Sequence, residues 1–183
     1  MPARRRSAQL GTLLATCLLV SGCGADPEPL EAIEPPVPAD LCATVPESLR
    51  QGLIANTNTD ETGNPTAACS LRSPDAAATE VRAVITWVQL NDEYSADEVL
   101  ASQCRSIDLR DFRVQDGFQA AGAEEACAAS GNVDGADSAT MAAVSELEVV
   151  TVRLSSRPAG KQPSMERAQQ MLEGVLSEVA AKP

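Results

Sequence analysis

The chain has 183 residues, of which 26 are acidic and 14 basic, and it contains no histidine. A formal net charge of −12 makes nucleic acid and anionic lipid surfaces poor partners. Without histidine there is no Ser-His-Asp or Cys-His catalytic arrangement and no imidazole-ligated zinc, which argues against a hydrolase.

The first 22 residues have the layout of an export signal. Arginines at positions 4–6 precede an apolar run at 10–20, which is too short to span a bilayer as a stable helix. A serine and a glycine then stand immediately before Cys23, as at the end of a bacterial lipoprotein signal. We therefore predict that Cys23 becomes the acylated first residue of the mature protein. The basic start also resembles a twin-arginine signal, so the general and the twin-arginine export routes both stay open.

The predicted location is the extracytoplasmic face of the cell membrane, reached through the lipid on Cys23. Residues 1–22 hold three basic and no acidic residues, so the mature chain has 11 basic against 26 acidic residues and a formal charge of −15. Residues 24–39 carry five prolines among four acidic residues, a composition that cannot bury a core. We predict a signal peptide at 1–22, an acylated cysteine and disordered Pro/acid-rich tether at 23–39, and a single domain at 40–183.

The first part of this domain is predicted to hold a short helix and a long loop. Thr44 and Glu47 have the spacing of a capping box, which predicts a helix start. Residues 56–65 have no apolar period and are predicted to be an exposed loop. This loop and the turn at 132–137 resemble calcium loops in part, but the required glycine and glutamate positions do not match in the first, so we predict no metal site.

The clearest strand signal lies at 79–90, after a short predicted strand at 69–72. Apolar residues alternate along one face of the longer strand, while valines, an arginine and a threonine occupy the other. We predict a central strand that is covered on both faces. Trp87 is predicted to pack in the core, and stacking against a ligand is the alternative.

A capping box that begins at Ser95 opens a second predicted helix, which ends near Arg105. Residues 112–121 alternate about an Asp-Gly turn and are predicted to form a hairpin. Residues 122–126 are predicted to be a solvated acidic loop.

Two further strands are predicted at 139–144 and 147–154, followed by a helix that begins at Ser164. The apolar residues of this helix recur at helical spacing and are Ala168, Met171, Leu172, Val175, Leu176 and Val179. Such a stripe is typical of a helix that packs on a sheet.

The order of these features resembles that of small actinobacterial lipoproteins of unknown function. The resemblance depends on the lipobox, the tether, Cys42 before a capped helix, Cys69 ahead of the strand that carries Trp87, and the closing helix. Related domains resemble the PsbP-like α/β sandwich. The resemblance implies an α+β fold in which an antiparallel β-sheet packs against helices, and it brings no catalytic residues with it.

Four cysteines remain after the signal is removed and Cys23 is acylated: Cys42, Cys69, Cys104 and Cys127. An even number in an exported domain indicates disulfides, for which three pairings are possible. We favour Cys42 with Cys69 and Cys104 with Cys127, because each joins a helix end to a nearby strand or loop. Zinc binding is not expected, since no pair has Cys-x-x-Cys spacing.

These observations predict a binding or sensing domain for an envelope protein or a small ligand, with no catalytic activity, no cofactor and no nucleic-acid partner. The alternatives are a structural spacer, or a non-catalytic accessory of cell-wall enzymes. The polar loops are the segments without core periodicity, so we predict that they contact the partner. The ligand-binding residues predicted on this basis are Asp60, Glu61, Asp134 and Asp137. The negative charge predicts a cationic or neutral partner.

Overall fold

The computed structural model describes residues 37–75, 78–90, 95–107, 112–160 and 164–180. In chain order the elements are α1 (Leu41–Thr44), α2 (Glu47–Arg50), β1 (Ile54–Asp60), β2 (Thr66–Arg72), β3 (Glu80–Gln89), α3 (Ala96–Ile107), β4 (Phe112–Val114), β5 (Glu125–Val133), β6 (Ala136–Ser145), β7 (Glu148–Arg157) and α4 (Ser164–Ala180). The strands form one antiparallel sheet in the order β1-β2-β3-β7-β6-β5-β4. This architecture confirms the predicted α+β class with helices packed on an antiparallel sheet.

The packed part of the chain begins slightly earlier than the predicted boundary at residue 40. Val37 packs against the core, and Pro38 is buried. Both side chains are apolar and precede α1, so burying them removes apolar surface from water. The predicted signal peptide, Cys23 and the rest of the tether up to residue 36 lie outside the described residues.

One face of the sheet carries the main core, which α4 covers together with α1 and α2. All six residues of the predicted apolar stripe on α4 are buried, which confirms that helix and its orientation. A Cβ added to Gly174 would lie 2.6 Å from Cδ of Pro46, so α4 approaches the α1–α2 segment closely at this point. Arg167 of α4 also donates a hydrogen bond to the carbonyl oxygen of Leu49, at 3.1 Å, and partial burial lowers the pKa of this guanidinium.

The predicted capping box of Thr44 and Glu47 does not form. Thr44 is the last residue of α1, and its hydroxyl donates to the carbonyl oxygen of Leu41 at 2.8 Å. The chain becomes extended at Val45, and α2 starts after Pro46 with no side-chain cap. The box fails because it needs the threonine at the N-cap of the helix that holds the glutamate, and here the two residues belong to different helices.

The first half of the predicted loop at 56–65, up to Asp60, belongs to the edge strand β1, and residues 61–65 form a loop as predicted. This strand pairs with β2 from Ile54 opposite Arg72 to Asp60 opposite Thr66. Six of its seven residues are exposed, so the strand needs no alternation of apolar side chains and shows none in the sequence. Backbone hydrogen bonds to β2 specify it instead, and periodicity cannot detect them.

The predicted hairpin at 112–121 is also wrong. β4 covers only Phe112–Val114, and its partner is β5 rather than a strand at 118–121. β5 begins at Glu125, inside the predicted acidic loop, and runs through alanines, a serine and a glycine. Such residues have low strand propensity, so β5 exists because it pairs with β6 along nine residues.

The remaining predicted elements are confirmed, with small changes at their ends. β3 matches the predicted strand at 79–90, and α3 ends two residues beyond Arg105. β6 and β7 extend the two predicted strands and meet at a turn in which Glu146 has a φ of 53°. The turn therefore forms without glycine, at a residue in the left-handed region.

Candidate functional site

Two disulfides attach helices to the two faces of the sheet. Cys42 is bonded to Cys69, with 5.0 Å between their Cα atoms, and Cys104 is bonded to Cys127, with 5.9 Å. This is the pairing predicted from the sequence. The first bridge ties α1 to β2, and the second ties α3 to β5. α3 is therefore held covalently on the sheet face opposite α4.

α3 covers only part of that second face. It contacts β5, β6 and β7 and completes a smaller core that includes Leu100, Ala142, Val144 and Val149. Twelve helical residues span about 18 Å, which is too short to reach across seven strands. Val84 on β3 is 42% exposed, so the prediction that β3 is covered on both faces is wrong on this side.

A groove of about 400 Å³ lies where the covered and open parts of this face meet. Its volume falls within the range of small-molecule sites. The floor is formed by β3 and β7, and α3 contributes Val99 and Gln103 to the wall. We refer to this feature as the sheet groove.

The floor of the sheet groove changes in character along β3. Antiparallel pairing places Val84 opposite Arg153, Thr86 opposite Thr151, and Val88 opposite Val149, and all six line the groove. Each pair is two residues further along β3, so the three pairs form successive rows on one face. The groove therefore has a cationic end at the first row, hydroxyls in the middle, and an apolar end that continues to Leu90 and Val99.

The two threonine hydroxyls in the middle row form a hydrogen bond with each other, Oγ1 to Oγ1. Either oxygen can be the donor. Because one hydroxyl proton is used in this bond, the other remains for a ligand atom, and both oxygens keep acceptor capacity. The middle of the groove can thus both donate and accept a hydrogen bond.

Arg153 is exposed at the cationic end and forms no ion pair with any acidic side chain of the described residues. Two neighbouring arginines on this face are paired. Nε of Arg82 lies 2.5 Å from Oε1 of Glu80, and a terminal guanidinium nitrogen of Arg72 lies 3.1 Å from Oδ1 of Asp75. Among the residues that the structure describes, Arg153 is therefore a cation that lines the groove with no carboxylate paired to it.

The four carboxylates predicted to bind a ligand do not come together. Asp60 is the last residue of β1, and Glu61 follows it. Asp60 pairs with Thr66 of β2, which pairs with Val88 of β3, so Asp60 lies in the row of Val88. Asp134 lies in the β5–β6 turn, and Asp137 pairs with Ser156, in the row of Val81 on β3. Positions 81 and 88 of one strand are about 23 Å apart. The structure thus separates the four residues into two pairs at opposite ends of the sheet.

Two of these carboxylates hold local structure. Asp60 accepts hydrogen bonds from the hydroxyl of Thr62 at 2.6 Å and from its backbone N–H at 2.9 Å, and these bonds lower the pKa of Asp60. Asp137 accepts from Nδ2 of Asn132 at 3.3 Å and from the backbone N–H of Gly160. These contacts stabilise turns. A role of either pair in ligand binding stays a prediction.

Trp87 lies in the main core with no exposed surface, which confirms the packing role predicted for it. It cannot stack on a ligand in the sheet groove, because successive residues of a strand point to opposite faces. The groove residues that sequence reasoning missed as a site are Val84, Thr86, Val88 and Arg153. The available signal was the mixture of Arg82 and Thr86 with valines on one face of β3, which is unusual for a strand covered on both sides.

Within the described residues, no three or more cysteine and acidic side chains are grouped so that they could hold a metal ion. None of the helices in the same part of the chain is long and apolar enough to cross a membrane.

Comparisons with protein-family models, with curated proteins and with solved structures find no match.

Proposed function

We propose that this chain is a lipid-anchored, extracytoplasmic binding protein and that its ligand occupies the sheet groove. The observation that carries the proposal is the open part of the second sheet face, where exposed Val84 lines a groove of about 400 Å³. Covering the apolar surface of Val84 and its neighbours with a ligand is favourable, because apolar surface then leaves water.

The chemistry of the lining supports binding rather than catalysis. The described side chains around the groove carry methyl groups, hydroxyls, amides and one guanidinium, with no carboxylate and no free thiol among them. Such groups orient a ligand and hold it, whereas general acid–base or nucleophilic catalysis uses groups that titrate or attack near neutral pH. We infer a non-enzymatic role.

The layout of the sheet and helices supports a relationship to the PsbP-like α/β sandwich. One antiparallel sheet carries α1, α2 and α4 on one face and α3 on the other, after an amino-terminal lipobox and tether. On this proposal the domain belongs with the small actinobacterial lipoproteins that the sequence resembles.

The lipid anchor is tested by the mass of the mature protein. We expect the chain isolated from membranes to begin at Cys23 and to carry acyl groups, because the small residues before Cys23 form the processing site of a lipoprotein signal. Cys23→Ala should lose the acyl mass and the membrane association. A mature start at another residue, or acylation of Cys23→Ala, would contradict the anchor.

The ligand site is tested by Val84→Asp, with N-phenyl-1-naphthylamine as a neutral apolar fluorescent probe. We expect the wild-type domain to bind the probe and Val84→Asp to bind at least tenfold more weakly, because the substitution replaces the exposed methyl groups of Val84, which the probe would cover, with a charged group that stays hydrated. Val114→Asp is the matched control, since Val114 is 47% exposed on β4, near the other edge of the sheet.

Equal probe binding by Val84→Asp and Val114→Asp would remove the sheet groove as the ligand site. A wild-type domain that binds neither this probe nor any charged analogue of similar size would favour the structural spacer. Recovery of a cell-wall polymer on the domain, unchanged in Val84→Asp, would favour the accessory of cell-wall enzymes instead.

A further inference from the structure

The sheet groove has opposite chemistry at its two ends, and this order limits the ligands that fit it. Val88, Leu90, Val99 and Val149 surround one end, and only apolar atoms of a ligand are favourable there. Arg153 stands at the other end, opposite Val84. The row that holds Val84 and Arg153 lies about 13 Å along the strand direction from the row of Val88. A ligand that fills the groove therefore meets an apolar environment at one end and a cation at the other.

The cationic end belongs to a wider arginine-rich area on this face. Asp75 pairs with Arg72 and Glu80 pairs with Arg82, so Arg153 and Arg157 are the arginines of this area that have no ion pair with a described carboxylate. Of the eight arginines that the structure describes, four lie at this end of the second sheet face, on β2, β3 and β7: Arg72, Arg82, Arg153 and Arg157. Arg72 and Arg82 are directly opposite each other, and Arg82 is diagonal to Arg153. Arginines that lie opposite each other on neighbouring strands repel one another, so this grouping costs stability. The chain has a formal charge of −12, so a cluster of arginines is not typical of its surface.

Resting on the proposed function, we propose that the sheet groove binds an amphipathic monoanion with a single aliphatic chain, such as an alkyl carboxylate. The aliphatic chain lies at the apolar end between β3, β7 and α3. The anionic head accepts a hydrogen bond from Arg153 and a second from the free hydroxyl proton of the Thr86–Thr151 pair. A volume of about 400 Å³ is small for a ligand with two acyl chains.

This inference reverses the ligand charge predicted from the sequence. The overall negative charge predicts a cationic or neutral partner, because long-range repulsion disfavours anions. At physiological ionic strength, however, exposed charges more than about 8 Å from a bound ligand are largely screened. The charges that line the groove therefore decide the affinity for an anionic ligand. The nearest described charge that lines the groove is that of Arg153.

The experiment compares three probes of equal chain length with the complete mature domain at pH 7: decanoate, decanol and decyltrimethylammonium. Isothermal titration calorimetry gives the affinities. We expect decanoate to bind most tightly and decyltrimethylammonium most weakly. We also expect Arg153→Gln to weaken decanoate about tenfold, since hydrogen bonds to charged groups contribute at this level, and to leave decanol unchanged. Arg153→Lys should recover part of the lost affinity.

Arg113→Gln is the matched control. It removes the same charge from an exposed arginine on β4, outside the groove lining, so it should leave decanoate binding within twofold of wild type. An equal loss in Arg113→Gln and Arg153→Gln would mean that net charge, not the groove, selects the anion, and would overturn the inference.

The remaining outcomes separate this inference from the proposed function. Equal affinity for all three probes, abolished by Val84→Asp, would overturn the anion selectivity and keep the sheet groove as a binding site. Binding to phosphatidylglycerol vesicles without binding of free decanoate would overturn the single-chain ligand. Absence of binding for every probe would overturn the proposed function itself.

Discussion

Replacing Trp87 with alanine should lower the free energy of unfolding by about 3–5 kcal/mol, because it removes the largest fully buried side chain and leaves a cavity. Trp87 lies in the main core beside Ala67 of β2 and Val150 of β7. Urea denaturation followed by far-ultraviolet circular dichroism measures the loss. Fluorescence is unsuitable, since Trp87 is the only tryptophan.

Val84→Ala is the control for this prediction. Val84 lies on the same strand as Trp87, but on the opposite face, and is 42% exposed. Its truncation should cost less than about 1 kcal/mol, since partly exposed side chains lose little on substitution. Equal losses at the two positions would contradict the assignment of the β3 faces. If Trp87→Ala does not fold, Trp87→Phe retains most of the volume and should show a smaller loss.

Removing either disulfide should destabilise the domain strongly, but only one removal should affect the sheet groove. The bridges close segments with sequence separations of 27 and 23 residues. On the chain-entropy model each contributes about 3.5 kcal/mol, so the two paired alanine variants should lose similar amounts of unfolding free energy from this source. Cys42 and Cys69 are also buried, and their replacement should cost further packing energy.

Of the two paired variants, only the one that lacks the Cys104–Cys127 bridge should bind the ligand more weakly. Cys104→Ala with Cys127→Ala releases α3 from β5, and α3 forms the wall of the sheet groove. We expect this variant to bind decanoate more weakly while it is still folded. Cys42→Ala with Cys69→Ala should bind normally once folded, because α1 lies on the other face. Normal decanoate binding after loss of the Cys104–Cys127 bridge would show that α3 needs no covalent attachment to form the groove.

The elements that could be predicted from the sequence are those whose side chains show the burial pattern directly. Alternation along β3 and β7 and the helical stripe on α4 predict which residues are buried, because each of these elements presents one face to the main core. The disulfide pairing could also be predicted, since each bridge joins elements that follow closely in the chain.

The elements that sequence reasoning missed depend on pairing with a neighbouring strand. β1 is almost entirely exposed and polar, and β5 consists mainly of small residues, so neither has a side-chain period. Backbone hydrogen bonds to β2 and β6 hold them in the sheet. Such bonds depend on which segments meet in the folded chain, and the local sequence does not record that.

Residue order alone is enough to predict the buried face of the sheet, the helix that covers it and the favoured pairing of the cysteines, because burial and chain proximity leave patterns in it. The position of the candidate site, in contrast, follows from how the elements pack in three dimensions. The second face of β3 has the same residues whether or not a helix covers it. The Cys104–Cys127 bridge holds α3 to β5, and the length of α3 from there determines how much of that face stays open. Val84 and Arg153 meet in the sheet groove because β3 pairs with β7, although 68 residues separate the two positions in the chain, and no local pattern specifies such a contact.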